Sequence, residues 1–206
     1  MRAFYLLASL VVSAVAAPAP SPRLSARQQK TAASLILAVM PTSNSCTGAQ
    51  FPDECRTADQ AAPFIIQGFD KYGVRTYGEI AAIVSLMGVE SDDLKFKHNI
   101  SPGRPGQGTV NMQMVNFNTL YATDLFGAAK VAGLAPNDVL ALVTPDQYNF
   151  ASAAWFYSTQ CSQDVKNALK QGNDAGFAAY MGCVGVSPDA SPRPEYWQRA
   201  KTAFGL

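Results

Sequence analysis

The segment Ile80–Val89 constrains the fold more than any other part of the chain. It contains one polar residue, Ser85, and no charged residue. A helix with apolar side chains on every face is buried in the interior rather than placed on the surface. The sequence therefore predicts a central helix over residues 76–89, around which the rest of the domain packs.

A cluster of carboxylates follows this helix directly. Glu90 ends the apolar run, and Asp92 and Asp93 come next. The negative end of the helix and partial burial both favour a neutral carboxylic acid, which is the form that a general acid needs. Glu90 is therefore the first candidate for catalysis, with Asp92 or Asp93 holding an attacking water or acting as a second carboxylate. Alternatively, all three are solvated charges at a helix end.

The next twenty residues predict a small β-hairpin. Residues 94–100 and 109–115 alternate apolar and polar side chains, as half-buried strands do, and a loop rich in Gly and Pro separates them. His98 falls on the apolar side of the first strand, and Lys95, Lys97 and Arg104 are expected to be solvated. Asn99 begins an N-glycosylation sequon, although Pro102 follows it.

These motifs carry a resemblance to a known group of enzymes. Glu90-Ser91, a Gly-rich loop and then Met112-Gln113 are similar to the Glu-Ser and Gly-Leu-Met-Gln motifs of lytic transglycosylases and goose-type lysozymes. Val110 and Asn111 stand where those families have Gly and Leu. Residues 153–157 are similar, more loosely, to a third motif, an Ala/Tyr-rich helix turn. The chain thus resembles a fungal secreted muramidase of the lysozyme-like superfamily.

The resemblance implies a fold, an activity and a set of site residues. The fold would be α+β and mainly α: a helical lysozyme-like domain with one hairpin wing. The activity would be hydrolysis of the β-1,4 bond between N-acetylmuramic acid and N-acetylglucosamine in bacterial peptidoglycan, with Glu90 as general acid. The residues expected to contact the substrate are Gln113, Met112, His98 and Tyr157. The alternatives are a chitosanase or chitinase, a lytic transglycosylase, or a non-catalytic secreted carbohydrate-binding effector on the same fold.

The N-terminal residues predict export. Residues 1–17 combine an early Arg, an apolar run and small residues, which is typical of a secretory signal peptide. Residues 18–26 are rich in Pro, Ser and Ala and predict a disordered tail or a short pro-segment. Residues 27–206 are then one catalytic domain of an extracellular protein.

Four cysteines in an exported chain predict two disulfides. Three pairings are possible, and Cys46–Cys55 with Cys161–Cys183 is preferred because each bond closes a short loop. A Cys-His nucleophile that uses His98 is disfavoured, because an even number of cysteines in an exported protein is normally structural. A zinc site is disfavoured because one His and no CxxC pair leave too few ligands. No cofactor or metal is expected.

The numbers of basic and acidic residues are nearly equal, which limits the kinds of binding partner to expect. The chain has 16 basic and 15 acidic residues, which gives no reason to expect binding to nucleic acid or to an anionic membrane. A monomer is expected. The predicted helices span residues 26–40, 57–72, 76–89, 116–127, 128–133, 137–142, 145–159, 162–171, 175–181 and 195–204.

Overall fold

The computed structural model describes residues 30–206, so the predictions for the leader and for residues 18–26 lie outside the described residues. This part of the chain is mainly helical, with a short 3₁₀ turn at Pro41–Asn44. Its helices are α1 (Ala32–Val39), α2 (Ala58–Tyr72), α3 (Tyr77–Ser91), α4 (Val115–Phe126), α5 (Ala128–Val131), α6 (Pro136–Val143), α7 (Asp146–Asn149), α8 (Ser152–Gln160), α9 (Gln163–Leu169), α10 (Asp174–Val184) and α11 (Arg193–Phe204). None of them is long and apolar enough to cross a membrane.

The ends of α2 follow from local sequence signals. Thr57 and Gln60 form a capping box at the start of α2, and Gly73 ends that helix in a left-handed conformation, as predicted. Several boundaries differ from the prediction. For example, helix α3 continues past residue 89 through Ser91, and the segment predicted as one helix over 145–159 divides into α7 and α8.

Helix α3 is the centre of the packed core, as its composition predicts. Its residues from Ala81 to Gly88 are all buried, and its most extensive packing is against α11. Gly88 allows the closest approach, because a Cβ there would lie 2.6 Å from the ring of Tyr196. The Tyr196 side chain can therefore pack closely against the end of α3, and its hydroxyl reaches Asp93 beyond it.

The predicted hairpin is not formed as a pair of strands. Within residues 30–206 this region has only isolated antiparallel bridges, which join Gly108 to His98 and to Gln113. The alternating pattern is interrupted by left-handed backbone at Leu94, Thr109 and Met112, with φ of 66°, 64° and 47°. Extended strands need φ near −120° to −140°, so the segment folds as a series of turns. We call residues 95–113 the wing.

Both predicted disulfides are present. Cys46 bonds to Cys55 and Cys161 to Cys183, with Cα atoms 5.8 and 5.7 Å apart. The first closes a loop that contains Gln50, Phe51 and Glu54, which we call the disulfide loop. A mainly helical domain with these two bonds is confirmed, whereas its lysozyme-like form stays a prediction.

Glu79 is a buried carboxylate near the start of α3, with 2% of its surface exposed. It accepts hydrogen bonds from the Tyr157 hydroxyl at 2.8 Å, from the Thr76 backbone and hydroxyl at 2.9 and 2.8 Å, and from the Arg75 backbone at 3.3 Å. Burial acts to raise the pKa of Glu79, but the hydrogen bonds from Thr76, Tyr157 and Arg75 outweigh it and hold the pKa below 4.5. Glu79 therefore stays ionised and fixes α3 against α8.

This carboxylate predicts a specific dependence of stability on pH. Because Gln cannot form charge-assisted hydrogen bonds, Glu79→Gln should lower the free energy of unfolding by about 2 kcal/mol at neutral pH. A lowered folded-state pKa stabilises the fold above the unfolded-state value, and this stabilisation is lost as pH falls through the folded-state pKa. In urea titrations, the difference between the two proteins should therefore shrink from pH 7 to about pH 3. Asp189→Asn, at an exposed loop position, is the control, and a pH-independent difference would contradict the assignment.

Candidate functional site

Glu90 lies in the last turn of α3 and is paired with a cation. Arg193, the first residue of α11, donates through Nη2 to Glu90 Oε1 at 2.6 Å. The Arg193 and Glu90 side chains are only 15% and 20% exposed. Glu90 is therefore held in an ion pair that joins the end of α3 to the start of α11.

Two buried donors near Glu90 have no hydrogen-bond partner within residues 30–206. One is the Arg193 Nε–H and the other is the Tyr180 hydroxyl on α10. Burial, together with the charge of Glu90, raises the pKa of Tyr180. Unpaired buried donors are uncommon in folded proteins. Here they show that polar groups around Glu90 lack some of their hydrogen-bond partners within the described residues. No local sequence signal indicates either residue as a neighbour of Glu90, because both lie far along the chain from it.

Ser91 holds the strained turn that follows Glu90. Its hydroxyl donates to the Met87 carbonyl at 2.6 Å and accepts from the Leu94 backbone N–H at 2.9 Å. Asp92, Asp93 and Leu94 all have left-handed backbone, with φ of 48°, 56° and 66°. Each such residue costs about 1–2 kcal/mol. Ser91 is thus a structural residue, whose hydrogen bonds help to direct the chain from α3 into the wing.

Asp92 and Asp93 are not placed to assist Glu90. Asp93 is 3% exposed, and its Oδ2 accepts from the Thr42 backbone and hydroxyl at 2.9 and 2.8 Å, while its Oδ1 accepts from the Tyr196 hydroxyl at 2.6 Å. Asp92 is exposed and lies 3.6 Å from Lys95. Neither lines a cavity with Glu90. Both carboxylates are therefore turn residues in this structure, which corrects their assignment beside Glu90.

Three connected cavities form a groove between the disulfide loop, the end of α3 and the wing. The central cavity, about 370 Å³, is lined by Gln50, Phe51, Glu90, Phe96, His98, Asn99, Ile100, Ser101, Gln107 and Met112. The loop cavity, about 340 Å³, shares Gln50, Phe51, His98 and Ile100 with it. The recess, about 270 Å³, shares Glu90, Gln107 and Met112 and is closed by apolar side chains that include Met114, Phe117, Phe156, Val184 and Val186. Glu90 therefore stands where the central cavity meets the recess.

Gln113 and Met112 both reach the groove. Gln113 lines the recess and is 5% exposed, and its amide donates to Asn118 Oδ1 at 2.6 Å. Asn111 donates to Gln113 at 3.4 Å and accepts from the Ser152 hydroxyl at 2.8 Å. Gln113 thus belongs to a buried polar network beneath the recess. Tyr157 does not line the groove, because its hydroxyl is held by Glu79 about three turns before Glu90.

His98 joins the two walls of the groove. Its Nδ1 lies 3.0 Å from Glu54 Oε2 in the disulfide loop, and the Lys97 backbone N–H donates to the same oxygen at 2.7 Å. Lys97 was expected to be solvated, but it is only 7% exposed and its ammonium group pairs with Asp146, which also binds Arg56. Burial acts to raise the pKa of Asp146, but hydrogen bonds from Lys97 and Arg56 outweigh it and lower this pKa.

Asn99, the sequon residue, also faces the groove. Its Nδ2 donates to Gln107 Oε1 at 2.5 Å, and its Oδ1 accepts from the Gly103 backbone at 3.2 Å. An N-linked glycan would be attached to this nitrogen, at a residue that lines the central cavity. Glycosylation of Asn99 stays a prediction.

Few His and Cys side chains of this protein could bind a metal ion. The four cysteines are consumed by disulfides, and His98 is the one histidine of the sequence. Residues 30–206 contain no group of three or more His, Cys, Asp or Glu side chains arranged to hold a metal ion. The polar groups of the groove are instead amides, hydroxyls and charged side chains.

Residues 30–206 form a mainly helical, disulfide-bonded domain with a groove lined by polar and apolar side chains. A protein of Fusarium oxysporum (strain Fo5176) named bifunctional dioxygenase (DOX)-epoxy alcohol synthase (EAS) is 48% identical to it over 172 residues. The aligned region is 78% of this chain but 13% of that relative. No protein-family model matches the chain, and no solved structure does.

This comparison overturns the predicted activity. The relative carries the name of a dioxygenase and epoxy alcohol synthase, which is a different function from a muramidase. The prediction of a peptidoglycan hydrolase is therefore wrong, and so is the expectation of a lysozyme-type glycosidase that degrades cell walls. It rested on two short motifs, and Ser91 and Gln113 from those motifs form hydrogen bonds within the fold.

Proposed function

We propose that this domain is a binding module for an extended polar ligand, and that the ligand is the glycan of bacterial peptidoglycan. The observation that supports the proposal is the continuity of the groove, in which neighbouring cavities share lining residues from the disulfide loop to the recess. A linear oligomer needs such a series of adjoining sites. The proposal concerns binding alone.

The chemistry of the groove suits a sugar-like ligand. Gln50 and Asn99 present amide groups to the central cavity, and Phe51 and Phe96 present rings whose centroids are 6.0 Å apart. Amides can donate to and accept from hydroxyl groups, and aromatic rings pack against the apolar faces of sugars. A few placed polar groups within a partly apolar cavity are typical of a specific binding site. Lysozyme-like form and extracellular localisation are part of the same proposal.

The name of the relative suggests a second candidate function, which is a role in a dioxygenase reaction. Such chemistry is carried by haem, flavin, copper or non-haem iron, and non-haem iron oxygenases use two histidines and a carboxylate. With one histidine, which pairs with Glu54, and no free cysteine in residues 30–206, this chain does not supply that ligand set. Because it corresponds to 13% of the relative, we propose that the oxygen chemistry belongs to the remainder of that protein.

The binding proposal is tested by calorimetry on the purified protein with soluble peptidoglycan fragments. We expect saturable binding that Phe51→Ala weakens by roughly tenfold, because the ring is lost from both the central and loop cavities. Tyr77→Ala removes a 64% exposed ring outside the groove and should leave affinity unchanged. Absence of binding by the wild-type protein, or equal losses in the two variants, would contradict the proposal. Oxygen uptake by the isolated chain would favour the second candidate.

A further inference from the structure

Two carboxylates that face the groove have partners within the protein. Glu90 is paired with Arg193, and Glu54 Oε2 is contacted by His98 Nδ1 and by the Lys97 backbone N–H. Arg104, on the wing, lines the recess beside Glu90 and has no carboxylate partner within residues 30–206. The recess therefore presents one uncompensated positive charge to a ligand.

The backbone beneath Arg104 is fixed. The Gln107 N–H donates to the Arg104 carbonyl at 3.1 Å, which closes a turn. The next glycine, Gly106, donates to Asn137 Oδ1 at 2.9 Å and accepts from Asn118 Nδ2 at 2.8 Å. These bonds attach the tip of the wing to α6 and α4. The Arg104 side chain is exposed, but its point of attachment at the mouth of the recess is held in place.

The opposite end of the groove has the opposite charge. Asp53 lines the loop cavity, is exposed, and forms no ion pair within the described residues. The groove thus has an unpaired cation at the recess and an unpaired anion at the disulfide loop. A ligand with a negative group at one end would be favoured in one orientation over the reverse.

We propose that Arg104 makes the groove selective for a ligand that carries a carboxylate, which docks at the mouth of the recess. This inference rests on the proposed binding function and specifies the charge and direction of its ligand. The guanidinium offers two parallel N–H donors that match the two oxygens of a carboxylate. The other cation near the recess, Arg193, is already occupied by Glu90, so Arg104 is the group that discriminates.

The test compares two forms of one ligand. Soluble peptidoglycan fragments with free carboxylates are titrated beside the same fragments after their carboxylates are converted to methylamides. The wild-type protein should bind the free-acid form roughly tenfold more tightly. Arg104→Gln should abolish this preference while still binding the amidated form as the wild type does. Lys130→Gln, which removes an exposed cation outside the cavities, should retain the preference.

The outcomes separate the two proposals. Equal binding of both ligand forms by the wild-type protein would overturn the role of Arg104 and leave the binding module intact. Retention of the preference in Arg104→Gln would do the same. No binding of either form would overturn the binding function itself. The preference should also shrink as salt is raised, because exposed charges are screened, and a salt-independent preference would count against an ionic contact.

Discussion

Glu90→Ala is expected to lower the free energy of unfolding by about 3 kcal/mol, because it leaves the guanidinium of Arg193 buried without its counter-charge. Arg193 is 15% exposed and begins α11, where the positive end of the helix dipole disfavours a cation. Removing both charges together should cost less than the sum of the single changes. Urea titrations of Glu90→Ala, Arg193→Met and the double variant form the required double-mutant cycle.

This cycle also decides how Glu90 variants are used in binding studies. If the free energies of unfolding are additive, the two side chains are independent and the close pair has no energetic consequence. If they are coupled by 1 kcal/mol or more, any loss of ligand affinity in a Glu90 variant must be measured below the onset of unfolding. Glu90→Gln retains an acceptor for Arg193, so it is the variant to compare for ligand binding.

Asp93→Ala should destabilise the fold by about 4 kcal/mol, since it removes a buried carboxylate from three hydrogen bonds and places alanine in a left-handed conformation. The Thr42 N–H and the Tyr196 hydroxyl would lose their acceptor. Asp92→Ala is a matched control, because φ is similar at the two positions and Asp92 is exposed. Its cost should be about 1 kcal/mol, mostly backbone strain.

The difference in destabilisation between Asp93→Ala and Asp92→Ala separates the contribution of the buried hydrogen bonds from that of backbone strain. Thermal unfolding followed by circular dichroism measures this difference. Equal destabilisation by both changes would show that the left-handed turn, and not the contacts of Asp93, dominates. A large difference would identify Asp93 as the residue that ties the end of α3 to the 3₁₀ turn and to α11.

Local signals in the sequence predicted the parts of the fold that depend on neighbouring residues. The buried helix α3 follows from an uninterrupted apolar run, and the start of α2 follows from Thr57 and Gln60. The disulfide pairing follows from short loops closed by neighbouring cysteines. In each case the physical cause lies within a few turns of chain, so a pattern in one sequence is sufficient.

The rest depends on contacts between distant segments. The Glu90–Arg193 pair joins residues 103 positions apart, and no periodicity near Glu90 indicates it. Lys97 alternates as a surface residue would, yet Asp146 on α7 binds and buries it. The wing failed as a hairpin because left-handed residues such as Thr109 and Met112 interrupt the extended backbone. The function was the hardest property to predict from the sequence. Residues of a short motif such as Glu90-Ser91 can have a structural role instead of a catalytic one.

The disulfide loop gives the groove a dependence on its redox environment. Gln50, Phe51 and Glu54 belong to a wall that lies between Cys46 and Cys55, whereas the opposite wall is carried by α3 and the wing. A thiol reductant that opens this bond would release one wall from its covalent tether while the packing of α3 against α11 persists. Ligand affinity and helical content would then respond differently to reduction, and the groove would be complete only in an oxidising compartment.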